Sequence, residues 1–241
     1  MPPTALLDEF CTKPGNHICL IYENEEEWQE AVSAFLISGL EEQEKCICMV
    51  KNHTPAQILQ YLQARGLDVS SNHIKKQLVI IDIDSMPELK NSLNARAITA
   101  LLGQEAIRAR TEGYAALRFT GELGWMLGHS PQDLEKMLDY VRFMNRELFS
   151  KFSCIVMFRC FVNRYSMRSL KQIIMAHPIY IRKNKFYYNK QYRLPDDLLD
   201  EDGQENHINS WFTNIENEQE NDTYNRFLAD IVKRFSQAFC A

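Results

Sequence analysis

Two histidines and two cysteines have the residue types for metal or thiol chemistry. His17 and Cys19 lie two residues apart on a predicted strand, so their side chains point to the same face. Cys160 and His177 lie on or after the fifth predicted strand, and we expect them to lie near His17 and Cys19 in space. Two imidazoles and two thiols would suit zinc or a similar metal. The alternative is a hydrogen-bonded His17 and a Cys19 that acts as a small apolar residue, both inside the core.

The turn after the first predicted strand is acidic. Between Tyr22 and Trp28 the chain reads Glu-Asn-Glu-Glu-Glu. A phosphate-binding loop has glycines and a lysine there, because backbone N–H groups must wrap the phosphates. Carboxylates at this position repel a triphosphate. The sequence therefore indicates a nucleotide-binding architecture that lacks its phosphate-binding loop.

Carboxylates also follow two later strands. Asp82 and Asp84 end the third, and Glu122 follows the fourth, where an ATPase of this architecture would place an acidic catalytic residue. Without a phosphate loop these groups lack the partners that phosphoryl transfer needs. We expect Glu122 to pair with Arg118 or Arg159, to cap the next helix, or to contact a ligand.

Aromatic side chains cluster at the predicted strand ends, namely Tyr22, Trp125, Phe158 and Phe161. An apolar pocket with a few polar groups is what a small organic ligand requires. Ordinary core packing is the competing interpretation. A one-carbon ligand has few heavy atoms, so its affinity is expected to be weak unless a metal or a thiol contributes.

Apolar runs alternate with helical patterns along most of the chain. This predicts an α/β fold with a mostly parallel sheet flanked by helices on both faces. Ligands of such sheets bind outside the carboxyl ends of the strands. The predicted strands are Ile18–Tyr22, Cys46–Val50, Leu78–Ile83, Ala115–Thr120 and Cys154–Phe158, followed by a hairpin of Pro178–Ile181 and Lys185–Tyr188.

Composition limits the function classes. A net charge of −5 argues against a nucleic-acid-binding surface, and no apolar run approaches the ~20 residues of a membrane span. The absence of an evident signal peptide and the seven scattered cysteines favour a reducing cytoplasm. Residues 1–195 are expected to form one domain, and 196–241 an acidic linker with an amphipathic helix. That helix is expected to dock on its own domain or to mediate a homodimer or partner contact.

Several short motifs occur in order along the chain. Gly15-Asn16-His17-Ile18-Cys19-Leu20-Ile21-Tyr22 comes first, then Gly39-Leu40, Glu44-Lys45-Cys46, Leu117 to Glu122 with Trp125, Cys160, and His177-Pro178. Together they resemble the MEDS domain, the methanogen/methylotroph, DcmR-type sensory domain, over about residues 13 to 190. The sequence departs from that family at Asn16, where aspartate is usual, and at Phe161–Asn163, where a Tyr-Asp pair is missing.

The resemblance implies a prokaryotic sensory module with a degenerate RecA/KaiC-like core. It implies a non-enzymatic protein that binds a hydrocarbon derivative, such as a methylated one-carbon compound, and signals to a downstream domain or regulatory protein. No cofactor is expected, zinc being the exception considered above. The candidate ligand-binding residues are His17, Cys19, Tyr22, Arg118, Glu122, Trp125, Cys160 and His177.

Two other functions remain open at this stage. The first is a metal- or thiol-based redox sensor that uses His17, Cys19, Cys160 and His177. The second is a residual nucleotide-binding, ATPase-like protein with an altered loop.

Overall fold

The computed structural model describes residues 17–85, 95–122, 131–183 and 185–193. Within these ranges seven strands form one sheet in the order β3-β2-β4-β5-β1-β6-β7. Neighbouring strands are parallel except β7, which is antiparallel to β6. The strands are β1 (Ile18–Tyr22), β2 (Lys45–Val50), β3 (Leu78–Asp82), β4 (Leu117–Glu122), β5 (Cys154–Phe161), β6 (Ile179–Arg182) and β7 (Lys185–Tyr188).

Six α-helices connect or follow these strands in the described ranges, which confirms the predicted α/β class. They are α1 (Glu25–Glu41), α2 (Pro55–Gln63), α3 (Asn72–Gln77), α4 (Ala95–Thr111), α5 (Pro131–Met144) and α6 (Met167–Met175). A π-helical turn at Asn145–Phe149 continues α5, and a 3₁₀ turn at Val162–Arg164 follows β5. None of the helices in the described ranges is long and apolar enough to cross a membrane.

The central strands of the sheet are buried on both faces. Along β5, Ile155 and Met157 pack on the side of α1 and α2, whereas Val156 and Phe158 pack on the side of α4, α5 and α6. We call these sides the α1 face and the α4 face. Burial of this kind stabilises the fold by about 1.5–3 kcal/mol for each large apolar side chain removed from water.

Local signals define the helix ends. Thr54 caps α2 through a capping box with Gln57, and Pro55 occupies the first helical position. Gly66 follows the helix with a φ of 87°, a conformation that glycine adopts without steric cost. The Thr54-Pro55 cap and the glycine after the helix were predicted from the sequence and are confirmed, whereas the part of Gln57 in the capping box was not predicted.

The ends of two strands differ from the prediction by two or three residues, and the others agree within one residue. The fourth was expected over Ala115–Thr120 and lies at Leu117–Glu122, whereas the fifth continues past Phe158 to Phe161. Glu122 therefore lies inside a strand rather than after it. Polar residues had marked the predicted strand ends, but in the fold they are buried as strand members. The segment predicted as linker and amphipathic helix, 196–241, lies outside the described residues.

Candidate functional site

Tyr22 and Glu122 meet at the carboxyl edge of the sheet, on the α1 face. The Tyr22 hydroxyl donates to Glu122 Oε1 at 3.1 Å, and Arg164 Nη1 lies 3.4 Å from Glu122 Oε2. The Phe161 ring lies 5.3 Å from the Tyr22 ring. Burial, followed by the charge of Glu122, raises the pKa of Tyr22 above its usual value, so its hydroxyl remains a hydrogen-bond donor.

Arg159 lies beside this pair, between Leu20 of β1 and Glu122 of β4 in the strand register. Its side chain is almost completely buried, and Nη2 donates to the carbonyl oxygen of Met49. The guanidinium carbon lies 5.3 Å from the centre of the Trp28 ring. We call Tyr22, Trp28, Glu122, Arg159, Phe161 and Arg164 the edge cluster.

The Trp28 ring has a second polar neighbour, His53. The His53 ring stacks on it at 4.1 Å, and His53 Nε2 lies 2.9 Å from Glu25 Oε1. The indole thus contacts both a guanidinium and an imidazole, close to where β1 and β2 end. Trp28 was predicted only as a helical core position, and Arg159 only as a partner of Glu122. The sequence does contain a signal that could have identified Arg159 as a functional residue, because it is a charged residue within the otherwise apolar run CIVMFRCF.

The turn between β1 and α1 is acidic, and its own side chains accept from two of its N–H groups. The Asn24 side chain accepts from Glu27 N at 2.9 Å, and Glu27 Oε2 accepts from Glu23 N at 2.9 Å. The first helical turn carries Glu25, Glu26 and Glu27. Two of the N–H groups that a phosphate would need are therefore occupied by the chain's own side chains, and the carboxylates of the turn repel a phosphate, as the acidic sequence indicated.

His17 and His177 lie on the α4 face, away from the edge cluster. Their ring centres are 4.4 Å apart, and the His17 ring stacks on Phe149 at 4.9 Å. His17 Nε2 lies 3.1 Å from the Ala176 carbonyl oxygen, and His177 Nδ1 lies 2.6 Å from that of Ile173. Burial, followed by the nearby His17, holds the pKa of His177 well below 6.5, so this ring is neutral at pH 7.

Cys19 and Cys160 form a second pair on the same face. Their sulfur atoms are 3.6 Å apart, and neither residue is exposed to solvent. Burial, followed by contact with Cys19, raises the pKa of the Cys160 thiol well above its ordinary value. Within the described ranges, no three His, Cys, Asp or Glu side chains are grouped so that they could hold a metal ion. The four residues proposed as zinc ligands therefore form a histidine pair and a thiol pair.

Arg118 lies near the amino end of β4 and is not part of the edge cluster. Its Nε donates to Glu44 Oε2 in a buried ion pair, and Nη1 donates to the Phe35 carbonyl oxygen at 3.2 Å. The expected pairing of Glu122 with Arg118 or Arg159 is therefore wrong. Arg118 is committed to Glu44, and the partners of Glu122 are Tyr22 and Arg164.

Of the seven predicted ligand-binding residues that the structure describes, it brings only Tyr22 and Glu122 together at the carboxyl edge on the α1 face. His17, Cys19, Cys160 and His177 lie on the opposite face. Phe158, expected in the aromatic pocket, also lies there, because neighbouring strand residues alternate between faces. Trp125 lies outside the described residues.

The match to known families identifies the class of protein. Residues 16–178, roughly two-thirds of the chain, match the family model described as the MEthanogen/methylotroph, DcmR Sensory domain. The chain belongs to this family of sensory domains. No curated protein matches the chain. The relation to a RecA/KaiC core, implied by the resemblance, stays a prediction.

Proposed function

We propose that this sensory domain is a non-enzymatic sensor that binds a small organic ligand at the edge cluster. The observation that supports this proposal is the chain of Tyr22, Glu122 and Arg164 at the ends of neighbouring strands. It offers a hydroxyl, a carboxylate and a guanidinium beside the Phe161 ring. Small-molecule sites typically combine a few convergent polar groups with aromatic walls at this edge of a parallel sheet.

The ligand class we propose is a simple hydrocarbon derivative or one-carbon compound, in keeping with the family to which the chain belongs. The site meets solvent at Arg164, whose side chain is 40% exposed, whereas Tyr22 and Glu122 are buried. Binding would change the packing of β1, β4 and β5 against α1. We propose that this change passes to a downstream domain or a regulatory protein in the cytoplasm. A homodimer through the C-terminal segment is a further candidate route.

Thermal unfolding with a ligand panel tests the proposal. The panel contains methanol, methylamines, dichloromethane, acetate and acetamide, each titrated to saturation. A ligand at ten times its Kd adds about 1.4 kcal/mol to the unfolding free energy, which is about 3–6 °C in Tm for a domain of this size. We expect at least one compound to give this saturable rise.

A pair of tyrosine variants locates the binding. Tyr22→Phe keeps the ring and removes the hydroxyl that reaches Glu122, so we expect it to weaken the response. Tyr188→Phe makes the same change on the exposed strand β7, where the residue is 43% exposed, and should leave the response intact. Equal ligand responses in both variants, or no saturable response to any compound, would contradict the proposal.

The Cys19–Cys160 pair supports a second candidate, a thiol sensor. A peroxide would oxidise the two thiols to one disulfide and would itself be reduced to water and an alcohol, or to two waters. The sulfur separation of 3.6 Å favours this reaction, whereas complete burial and a raised Cys160 pKa oppose it. A loss of two hydrogens in mass after mild peroxide treatment, absent in Cys19→Ala, would support it. Two intact thiols would exclude it.

A further inference from the structure

Arg159 has more hydrogen-bond donors than the described chain supplies acceptors for. The residue is 1% exposed, and Nη2 reaches the carbonyl oxygen of Met49. The N–H groups on Nε and Nη1 are also buried, and within the described ranges neither nitrogen has a hydrogen-bond partner. A guanidinium keeps its charge in proteins and offers donors only, so it cannot relieve this shortage by losing a proton.

The register of the strands explains where the guanidinium lies. The pairing of β2 with β4 ends at Cys48 and Thr120, whereas β4 and β5 remain paired as far as Glu122 and Arg159. Arg159 therefore extends across β4, on the α1 face, to the Met49 carbonyl beyond the last pair of β2 and β4. This is the part of the sheet edge where neighbouring strands stop sharing hydrogen bonds.

Two further polar groups on the same face are without partners. Trp28 Nε1 and Thr120 Oγ1 are both buried and have no hydrogen-bond partner in the part of the chain that the structure describes. The Trp28 ring lies beneath the Arg159 guanidinium, at 5.3 Å. Because indole and guanidinium nitrogens donate only, what these side chains lack is an acceptor.

The charges of the edge cluster also favour an acceptor that is negatively charged. Arg159 and Arg164 contribute two positive charges, and Glu122 contributes one negative charge. Two of the acidic side chains around the start of α1 have basic partners other than Arg159. Glu23 lies 3.4 Å from Arg182, and Glu25 lies 2.9 Å from His53. Arg164 is 40% exposed and pairs with Glu122, whereas Arg159 is buried and has no ion pair within the described ranges. Buried charges in proteins are normally paired, so Arg159 lacks a negative partner among the described residues.

We propose that the ligand of the edge cluster carries a carboxylate, and that the cluster selects short-chain carboxylates of about one to three carbons. This inference rests on the proposed function and specifies its ligand class. The carboxylate would accept from Arg159 and from Trp28 Nε1, and its short alkyl part would lie against the Tyr22 and Phe161 rings. A carboxylate matches the geometry of a guanidinium edge.

The surroundings favour a monoanion over a phosphate. A buried phosphate would bring close to two negative charges, whereas the cluster has an excess of one positive charge. Three glutamates, Glu25, Glu26 and Glu27, also occupy the first turn of α1 and repel more highly charged ligands. The same argument excludes a nucleotide from this site.

Calorimetric titration of the full chain tests the inference. The probes are sodium acetate and sodium propionate, with acetamide as the neutral analogue of acetate, inorganic phosphate as the competing anion, and sodium chloride to match ionic strength. We expect saturable binding of acetate or propionate, and at least tenfold weaker binding of acetamide and of phosphate. Phosphate that binds more tightly than both carboxylates would overturn the assignment.

Arginine variants locate the binding group. Arg159→Met keeps much of the side-chain volume and removes the donors, so acetate affinity should fall at least tenfold. Arg168→Met removes an exposed guanidinium from α6 and should keep the wild-type affinity. Equal acetate affinity in the wild type and in Arg159→Met would overturn the inference. If Arg159→Met does not fold, Trp28→Phe decides, because it keeps a ring and removes the Nε1 donor. Weaker acetate binding by this variant supports the inference, and unchanged binding overturns it.

The panel separates this inference from the proposed function. Saturable, Tyr22-dependent binding of a neutral compound such as methanol, without carboxylate binding, would overturn the carboxylate assignment and leave the small-molecule sensor intact. No binding of any compound would overturn both.

Discussion

The ion pair between Arg118 and Glu44 gives the sharpest prediction about stability. Both side chains are 3% exposed, and the Arg118 guanidinium also lies 4.8 Å from the centre of the Phe35 ring. Arg118→Met removes the cation and leaves the Glu44 carboxylate in a buried position. The contact joins two of the motifs named above, because Glu44 belongs to Glu44-Lys45-Cys46 and Arg118 belongs to Leu117 to Glu122.

Removing one partner of a buried pair costs about 3–5 kcal/mol, because the remaining charge is not compensated. For a domain of this size each kcal/mol lowers Tm by about 2–4 °C, so we expect Arg118→Met to melt roughly 6–20 °C below the wild type. The double variant Glu44→Gln, Arg118→Met removes the buried charge as well. It should recover at least about 1 kcal/mol of this loss.

Thermal and urea unfolding, followed by circular dichroism, measure these differences. The control is Arg146→Met, which breaks an exposed ion pair. Arg146 Nε lies 2.9 Å from Glu147 Oε1, and the side chains are 73% and 32% exposed, respectively. Exposed pairs contribute about 0–1 kcal/mol, so this variant should melt within a few degrees of the wild type. Equal losses for Arg118→Met and Arg146→Met, or a double variant as unstable as the sum of its single changes, would refute the reasoning.

Three further predictions concern the glycines, the buried histidine and the thiols. A Cβ on Gly39 would lie within 3 Å of the Arg118 side chain, so Gly39→Ala should lower the free energy of unfolding by about 1–3 kcal/mol. A Cβ on Gly103 would have its nearest neighbour at 3.5 Å, so Gly103→Ala should raise the free energy of unfolding by up to about 1 kcal/mol. The same urea titrations measure both changes. Because the pKa of His177 is lowered in the fold, the unfolded chain binds more protons below pH 6.5, and stability should fall as pH falls through that window. Urea unfolding at pH 7.5 and 5.5 measures the loss of unfolding free energy between the two pH values. This loss should be up to about 1.4 kcal/mol smaller for His177→Gln than for the wild type, and an equal loss in both proteins would contradict the prediction. Burial raises the pKa of Cys154 to about 12 and that of Cys160 well above its usual value, so both should resist alkylation at pH 8 until the chain is unfolded, as peptide mass analysis would measure.

The sequence predicted the layers of the fold because its apolar patterns are local. The run before Tyr22, the Thr54-Pro55 cap and Gly66 each define one end of an element without help from distant residues. The short helix α3 was not predicted, because its sequence NHIKKQ has only one large apolar residue.

The site was harder to predict, because its polar residues are buried by contacts from elements distant in sequence. Glu122 was expected to follow its strand, since a carboxylate normally ends a buried run. It is instead the last residue of β4, where the hydroxyl of Tyr22, 100 positions earlier, donates to it. Arg159 likewise lies within β5, where it donates to the Met49 carbonyl oxygen on another strand. Such pairings depend on strand order, which local pattern does not specify.

The metal hypothesis failed to give one site for a geometric reason. His17 and Cys19 do point to one face, as predicted, and each of them lies beside one of the other two residues. His17 lies beside His177, whereas Cys19 lies beside Cys160. Strand alternation predicted the shared face of His17 and Cys19, but not that the four residues would divide into a histidine pair and a thiol pair.

Hydrogen exchange measured with and without a saturating ligand from the panel tests the central claim most directly. If the ligand binds at the edge cluster, the amides of peptides that cover 20–28, 119–122 and 158–165 should exchange more slowly in its presence, because these segments carry the cluster. Peptides that cover 39–46, at the opposite edge of the sheet, should be unchanged. Protection confined to 39–46, or to peptides around the buried histidine pair, would contradict the account.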